Sequence, residues 1–213
     1  MDQRANWGDT LVNVCLYVEG GAPSAKAEIA TACRRGFRDF LKKALGDRPK
    51  PRIVASGSRD EAYRDFCRSI ESDSDTFAVL LVDSEDPVVK GKTAAVHLRQ
   101  REKHWKGAIP DEQVHLMVQC MEAWFLADKG ALEQYYGEKF KRTALPANPK
   151  IEEVSKADVL KGLESATKTT SKGDYHKTRH GFDILARIDP SLVRQASNHA
   201  NALIVRLLNE LGG

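Results

Sequence analysis

Four short runs of aliphatic and β-branched residues punctuate a chain that is otherwise mixed in polarity: residues 11–18, 52–56, 77–82 and 114–118. The first and third lack regular polar alternation, the pattern of strands covered on both faces in a parallel sheet. Amphipathic segments lie between them. Residues 25–45 carry Ile29, Cys33, Phe37, Phe40, Leu41 and Ala44 at three- and four-residue spacing, which predicts a helix with one buried stripe. Ser24 is placed to cap it, Gly46 to stop it, and Pro49 and Pro51 to keep the exit extended. A second helix begins after Ser58, with Glu61 completing a capping box and Ala62, Phe66 and Ile70 facing inward. This β-α-β-α-β order calls for right-handed crossovers and a three-layer α/β/α fold around a mostly parallel, four-stranded sheet.

The pattern changes after the third strand. Residues 86–111 are polar and poorly periodic, with a short helix at about 94–103. The fourth strand runs almost directly into an apolar helical segment at 121–127, and beyond 128 only helices are expected, at 131–136, 156–167, 176–188 and 190–211. The organisation predicted is an α/β core over residues 1–128 and a helical extension over 129–213 packed on it, together one compact unit.

Composition narrows the class without choosing a function. The chain has 213 residues, 41% of them hydrophobic and 30% charged, with a net charge of +3. That mild basicity is compatible with nucleic acid but is equally that of a solvated mixed-charge surface. Cys15, Cys33, Cys67 and Cys120 are far apart and form no CxxC pair, so buried reduced thiols are expected rather than zinc ligation. The first residues lack the apolar segment of a signal peptide, and no run approaches the roughly 18 apolar residues that span a bilayer. A cytoplasmic location away from membranes is expected. Walker A, G-x-G-x-x-G and G-x-S-x-G patterns are absent, which removes the usual P-loop, nicotinamide and serine-hydrolase readings.

The candidate chemistry sits where strands end. Glu19-Gly20-Gly21 follows the first strand and Asp83-Ser84-Glu85-Asp86 follows the third. Ligands of open α/β sheets bind outside the carboxyl ends of the strands. Glu19, Asp83 and Glu85 are therefore candidate oxygen ligands for Mg²⁺ or Mn²⁺, and Gly20 and Gly21 would let a phosphate approach the backbone. Glu122 lies in an apolar stretch and needs a partner, either by joining this site or by pairing with Arg34, Arg35 or Arg59. Lys172, Lys177, Arg179 and His180 form a basic loop that suits phosphate or plain solvation. His97, His104 and Trp105, among lysines, would serve either as a nucleic-acid-facing flap or as a surface connection.

A Glu after the first strand and an acidic pair after a later one resemble the Toprim domain of topoisomerases, primases and OLD-family nucleases. Glu85 stands where that pattern has Asp, which keeps the oxygen but lengthens its reach. Longer stretches are similar to the DUF4276 family: Leu16-Tyr-Val-Glu-Gly-Gly21, Cys33-Arg-Arg-Gly-Phe37, Gly57-Ser-Arg59, Leu80-Leu-Val-Asp-Ser-Glu-Asp86, His115-Leu-Met-Val-Gln-Cys-Met-Glu-Ala-Trp124 and Tyr175-His-Lys177. The resemblance implies a Toprim-like fold, Glu19, Asp83 and Glu85 as metal ligands, and Glu122 and Lys177 as outer members of the site. It also implies an antiviral-defence setting beside an ATPase of the ABC or AAA type. The function expected is Mg²⁺-dependent cleavage of nucleic-acid phosphodiesters, with self-association left open. Two alternatives use the same fold: a degenerate interaction module working with the ATPase, and a phosphatase or nucleotidyl-transfer enzyme acting on small molecules.

Overall fold

The computed structural model describes residues 13–20, 27–107 and 109–212. Leu11, Gly21 and the helix cap expected at Ser24 lie outside them. Four strands, β1 (Asn13–Val18), β2 (Arg52–Ala55), β3 (Thr76–Asp83) and β4 (Val114–Met117), form one sheet in the order β2-β1-β3-β4. Every pairing is parallel, as the alternation of strands and helices requires. In this register Val18 lies opposite Leu81, and Asp83 lies opposite Met117.

Alternate strand residues feed two cores. Val14, Leu16, Val18, Val79, Leu81 and Met117 face α1 (Ala27–Leu45) on one side. Cys15, Tyr17, Ala78, Leu80, Val82 and Leu116 face α2 (Arg59–Ser72) and α3 (Ala94–Arg101) on the other. A sheet covered twice explains why the strand sequences show so little polar alternation. The expected punctuation also forms. Ser58 and Glu61 make the capping box of α2, and Gly46 ends α1 with φ +60.

The later helices join the α1 side: α4 (Lys129–Tyr136), α5 (Lys156–Thr167), α6 (Phe182–Leu185), α7 (Pro190–Ala196) and α8 (Asn198–Glu210). Leu132, Leu163, Ile184, Val193 and Leu207 lie in the same apolar cluster as the α1 face of the sheet. Helix α6 meets α1 at Gly36, where a Cβ would stand 2.7 Å from the Phe182 carbonyl oxygen. No described helix is long and apolar enough to cross a membrane.

Three local details differ from the sequence pattern. Met121–Asp128 winds as a 3₁₀ helix, and its first six residues are all buried, so packing around it rather than an amphipathic face sets its course. The segment expected as one helix at 190–211 breaks at Ser197, whose extended backbone and side chain cap α8 at Ala200. The segment expected as a helix at 176–188 opens with a π turn, Lys177–Gly181, before α6.

Candidate functional site

The carboxyl ends of β1 and β3 deliver their acids to different sides. Val18 belongs to the α1 face, so Glu19 next to it turns toward α2; Val82 belongs to the α2 face, so Asp83 turns toward α1 and the later helices. Asp83 is 1% exposed there. Its Oδ1 accepts from the Met121 N–H at 2.8 Å, and its Oδ2 takes the Lys177 ammonium at 3.2 Å. Glu122, also 1% exposed, accepts from the Tyr175 hydroxyl through Oε1 at 2.9 Å, while Oε2 is buried with no hydrogen-bond partner among the described residues. Tyr175 stays a donor because burial, reinforced by Glu122, raises its phenol well above the usual range.

Burial pushes the Asp83 carboxyl up to about 6; Lys177 opposes the push and Glu122 and Glu19 add to it. Burial also disfavours the Lys177 ammonium, but Asp83, Glu122 and Glu19 together outweigh that and hold it above the ordinary lysine range. The two directions are consistent. One ammonium shared by three carboxylates gains from all of them, whereas Asp83 receives only part of its compensation.

Glu85 takes no part in this group. It occupies the left-handed region with φ 65, anchors its N–H on the Gln119 carbonyl at 2.8 Å, and points its carboxylate at Arg59 (2.7 Å) and Lys156 (2.6 Å). Although burial works against it, hydrogen bonds and charge from Lys156 and Arg59 hold its carboxyl below the usual range. Arg59 also binds Glu102 at 2.9 Å and lies 3.6 Å from Glu19 Oε2. The expectations therefore divide. Asp83, Glu122 and Lys177 meet directly or through one shared ammonium, Glu19 lies at the edge between both groups, and Glu85 belongs to the Arg59 group.

Arg59 is not the partner of Glu122, and neither Arg34 nor Arg35 is: Arg34 bonds Thr31, and Arg35 bonds Asp183 of α6. Two residues carry more than the sequence suggested. Arg59 showed in the sequence only as one of three candidate partners for Glu122 and within the Gly57-Ser-Arg59 stretch, and Lys156, the residue after the Ser155 cap of α5, gave no sign. Gly20 is explained by packing, since a Cβ there would lie 2.9 Å from Ala55 Cβ. Trp105 is not a free platform either: it stacks on Tyr63 at 3.9 Å and donates to Asp60 at 2.8 Å. His97 is likewise committed, with Nε2 donating to the Ser84 carbonyl at 3.0 Å.

Asp83, Glu122 and Glu19 offer only oxygen donors, and among the described residues Oε2 of both Glu122 and Glu19 is buried without a hydrogen bond. That donor set suits a hard divalent cation in chemistry. Among the described residues, however, no three His, Cys, Asp or Glu side chains are gathered closely enough to hold an ion together.

The fold and these residues define an α/β protein with a buried, charged cluster at the carboxyl ends of a parallel sheet. The chain belongs to the family described as Domain of unknown function (DUF4276), whose model matches residues 18–208. No curated protein and no solved structure matches it.

Proposed function

We propose that this protein is a divalent-cation-dependent phosphodiesterase of Toprim-like design that cuts nucleic acid. The observation that carries the reading is Asp83: a carboxylate 1% exposed at the end of a central strand, beside a second buried carboxylate with an oxygen that has no partner among the described residues. Such an arrangement is unfavourable for folding alone. Asp83 and Glu122 would be the ligands of Mg²⁺ or Mn²⁺, with Glu19 as a further ligand or a general base, once these side chains, which are not gathered around one point among the described residues, draw together on the ion. When bound, the ion would supply Lewis-acid polarisation and a more acidic water. Lys177, held protonated by its three carboxylates, would oppose charge developing on a phosphoryl oxygen rather than act as a base. In the base role, Glu19 would take a proton from an attacking water through Oε2, which has no hydrogen bond among the described residues. In keeping with the family resemblance, we place this activity in a defence system with an ATPase partner.

A second reading has its own support. Lys177 already neutralises Asp83, and Arg59 and Lys156 already neutralise Glu85. A Toprim-like scaffold that has replaced its cation by protein cations would serve as an interaction module for the ATPase. Calorimetric titration of Mn²⁺ into wild type and Asp83→Asn separates the two, with cleavage of DNA and RNA measured alongside. Metal binding and cleavage that vanish in a folded Asp83→Asn support the enzyme. Cleavage unchanged by the substitution, or no cation binding by wild type, refutes it.

A further inference from the structure

Outside the carboxylate cluster, one surface combines an aromatic ring with unpaired positive charge. A depression of about 490 Å³ is lined by Ala131, Gln134, Tyr135, Lys172 and Arg187. Lys172 Nζ lies 5.0 Å from the centroid of the Tyr135 ring, and the Arg187 guanidinium carbon lies 5.3 Å from it. Both side chains are exposed, and neither pairs with a carboxylate among the described residues. Several nearby acids are already used: Asp183 binds Arg35, Asp128 accepts from the N–H groups of Ala131 and Asp189, and Asp189 accepts from Ser191, whereas exposed Asp174, two residues from Lys172, is outside these pairings. Two cations over one ring repel each other, and an anion between or beside them would relieve that. Arg187 also borders a second depression of about 380 Å³ that contains Lys43 and Arg194 together with Asp189.

This surface is connected to the candidate site. The Tyr135 ring is 6.2 Å from that of His180, which is 6.3 Å from that of Tyr175, whose hydroxyl bonds Glu122. Lys172 lies in the segment that joins α5 to the π turn, and Lys177 is the first residue of that turn.

We propose that the Tyr135 depression binds a single-stranded stretch of nucleic acid, a base stacking on Tyr135 and flanking phosphates meeting Lys172 and Arg187. Lys172 and Arg187 lie over the ring, and a base stacking on Tyr135 would displace them from its face toward the flanking phosphates of a strand; duplex bases, already stacked and paired, offer Tyr135 no face. The choice of polymer rests on the phosphodiesterase reading.

The test is fluorescence anisotropy of a labelled oligothymidylate of about a dozen nucleotides, with chelator present so that binding is read without cleavage. Wild type is compared with Tyr135→Ala, Tyr135→Phe and the double variant Lys172→Gln/Arg187→Gln, whose exposed positions keep it folded. Tyr135→Ala is expected to bind about tenfold more weakly or worse, and Tyr135→Phe close to wild type. The double variant is expected to lower the slope of log K against log salt by about 1.4, from about 0.7 per phosphate contact. Equal binding by all variants, no binding by wild type, or tighter binding of duplex would overturn the proposal. Cleavage assayed separately with Mg²⁺ keeps the two ideas apart. Lost binding with intact cleavage leaves the enzyme reading standing, and intact binding without cleavage leaves this one standing.

Discussion

Replacing Asp83 by Asn isolates the charge on which the functional reading depends. The carboxyl is raised from 3.8 to about 6, so the folded state holds its proton more tightly than the unfolded chain does. The sign follows: the native contribution of this group is whole below 3.8 and is lost as pH rises through about 6. At about 1.36 kcal/mol per unit, the raised carboxyl disfavours the fold by about 3 kcal/mol at about pH 7.5 and by about half that at about pH 5. Asn keeps an oxygen for the Met121 N–H. Lys177 loses one of its three carboxylates, but its side chain is 39% exposed, so water screens part of that loss. The net gain expected for Asp83→Asn is about 1–3 kcal/mol at about pH 7.5, shrinking by about half at about pH 5. Urea denaturation at the two pH values measures it. Lower stability of Asp83→Asn at the higher pH would mean that the Lys177 pair outweighs burial, and the reasoning from an under-compensated carboxylate would fail. Higher stability with loss of cation binding is the trade expected of a functional residue.

Other consequences can be measured in the same way. His115 on β4 is 9% exposed, and burial with the charge of Arg206 brings its imidazole from 6.5 down to about 4. Its stabilising contribution is therefore complete above 6.5 and lost as pH falls toward about 4. This amounts to about 2 kcal/mol at about pH 5, and His115→Leu should flatten that limb of the stability–pH curve. Gly36→Ala should destabilise by about 1–3 kcal/mol in urea, because the new methyl meets the Phe182 backbone rather than a movable side-chain tip. Tyr175→Phe removes the one hydrogen bond of a buried carboxylate and should destabilise by about 1–3 kcal/mol. Adding Glu122→Gln should recover part of that loss in a double-mutant cycle, since the charge then goes with the bond.

Much of the fold was legible because its signals are local. The aliphatic runs 77–82 and 114–118, the stripe from Cys33 to Leu41 and the Ser58–Glu61 box each operate within a few residues, and they mark the strands, the buried helix face and the helix start that form. Where local signals are weak, the pattern misled. The segment after Cys120 is apolar on every side and so carries no period to identify its winding, and Ser197 looked like one polar residue in a long helix until its side chain became a cap.

The site divides along the same line. Residue types and order alone placed acids at the ends of β1 and β3 and put them in one shared crevice; the register of the sheet instead sends Glu19 and Asp83 off on opposite faces. Which charges meet was decided by the tertiary structure, because the partners are remote: 26 residues separate Arg59 from Glu85, 71 separate Lys156 from Glu85, and 94 separate Lys177 from Asp83. No periodicity reaches that far. The left-handed turn at Glu85 then directs that carboxylate to Arg59 and Lys156, leaving Asp83 with Lys177 and Glu122. Sequence fixed the inventory of charges through local backbone preference, and folding chose their pairing through burial, where an uncompensated charge is most costly.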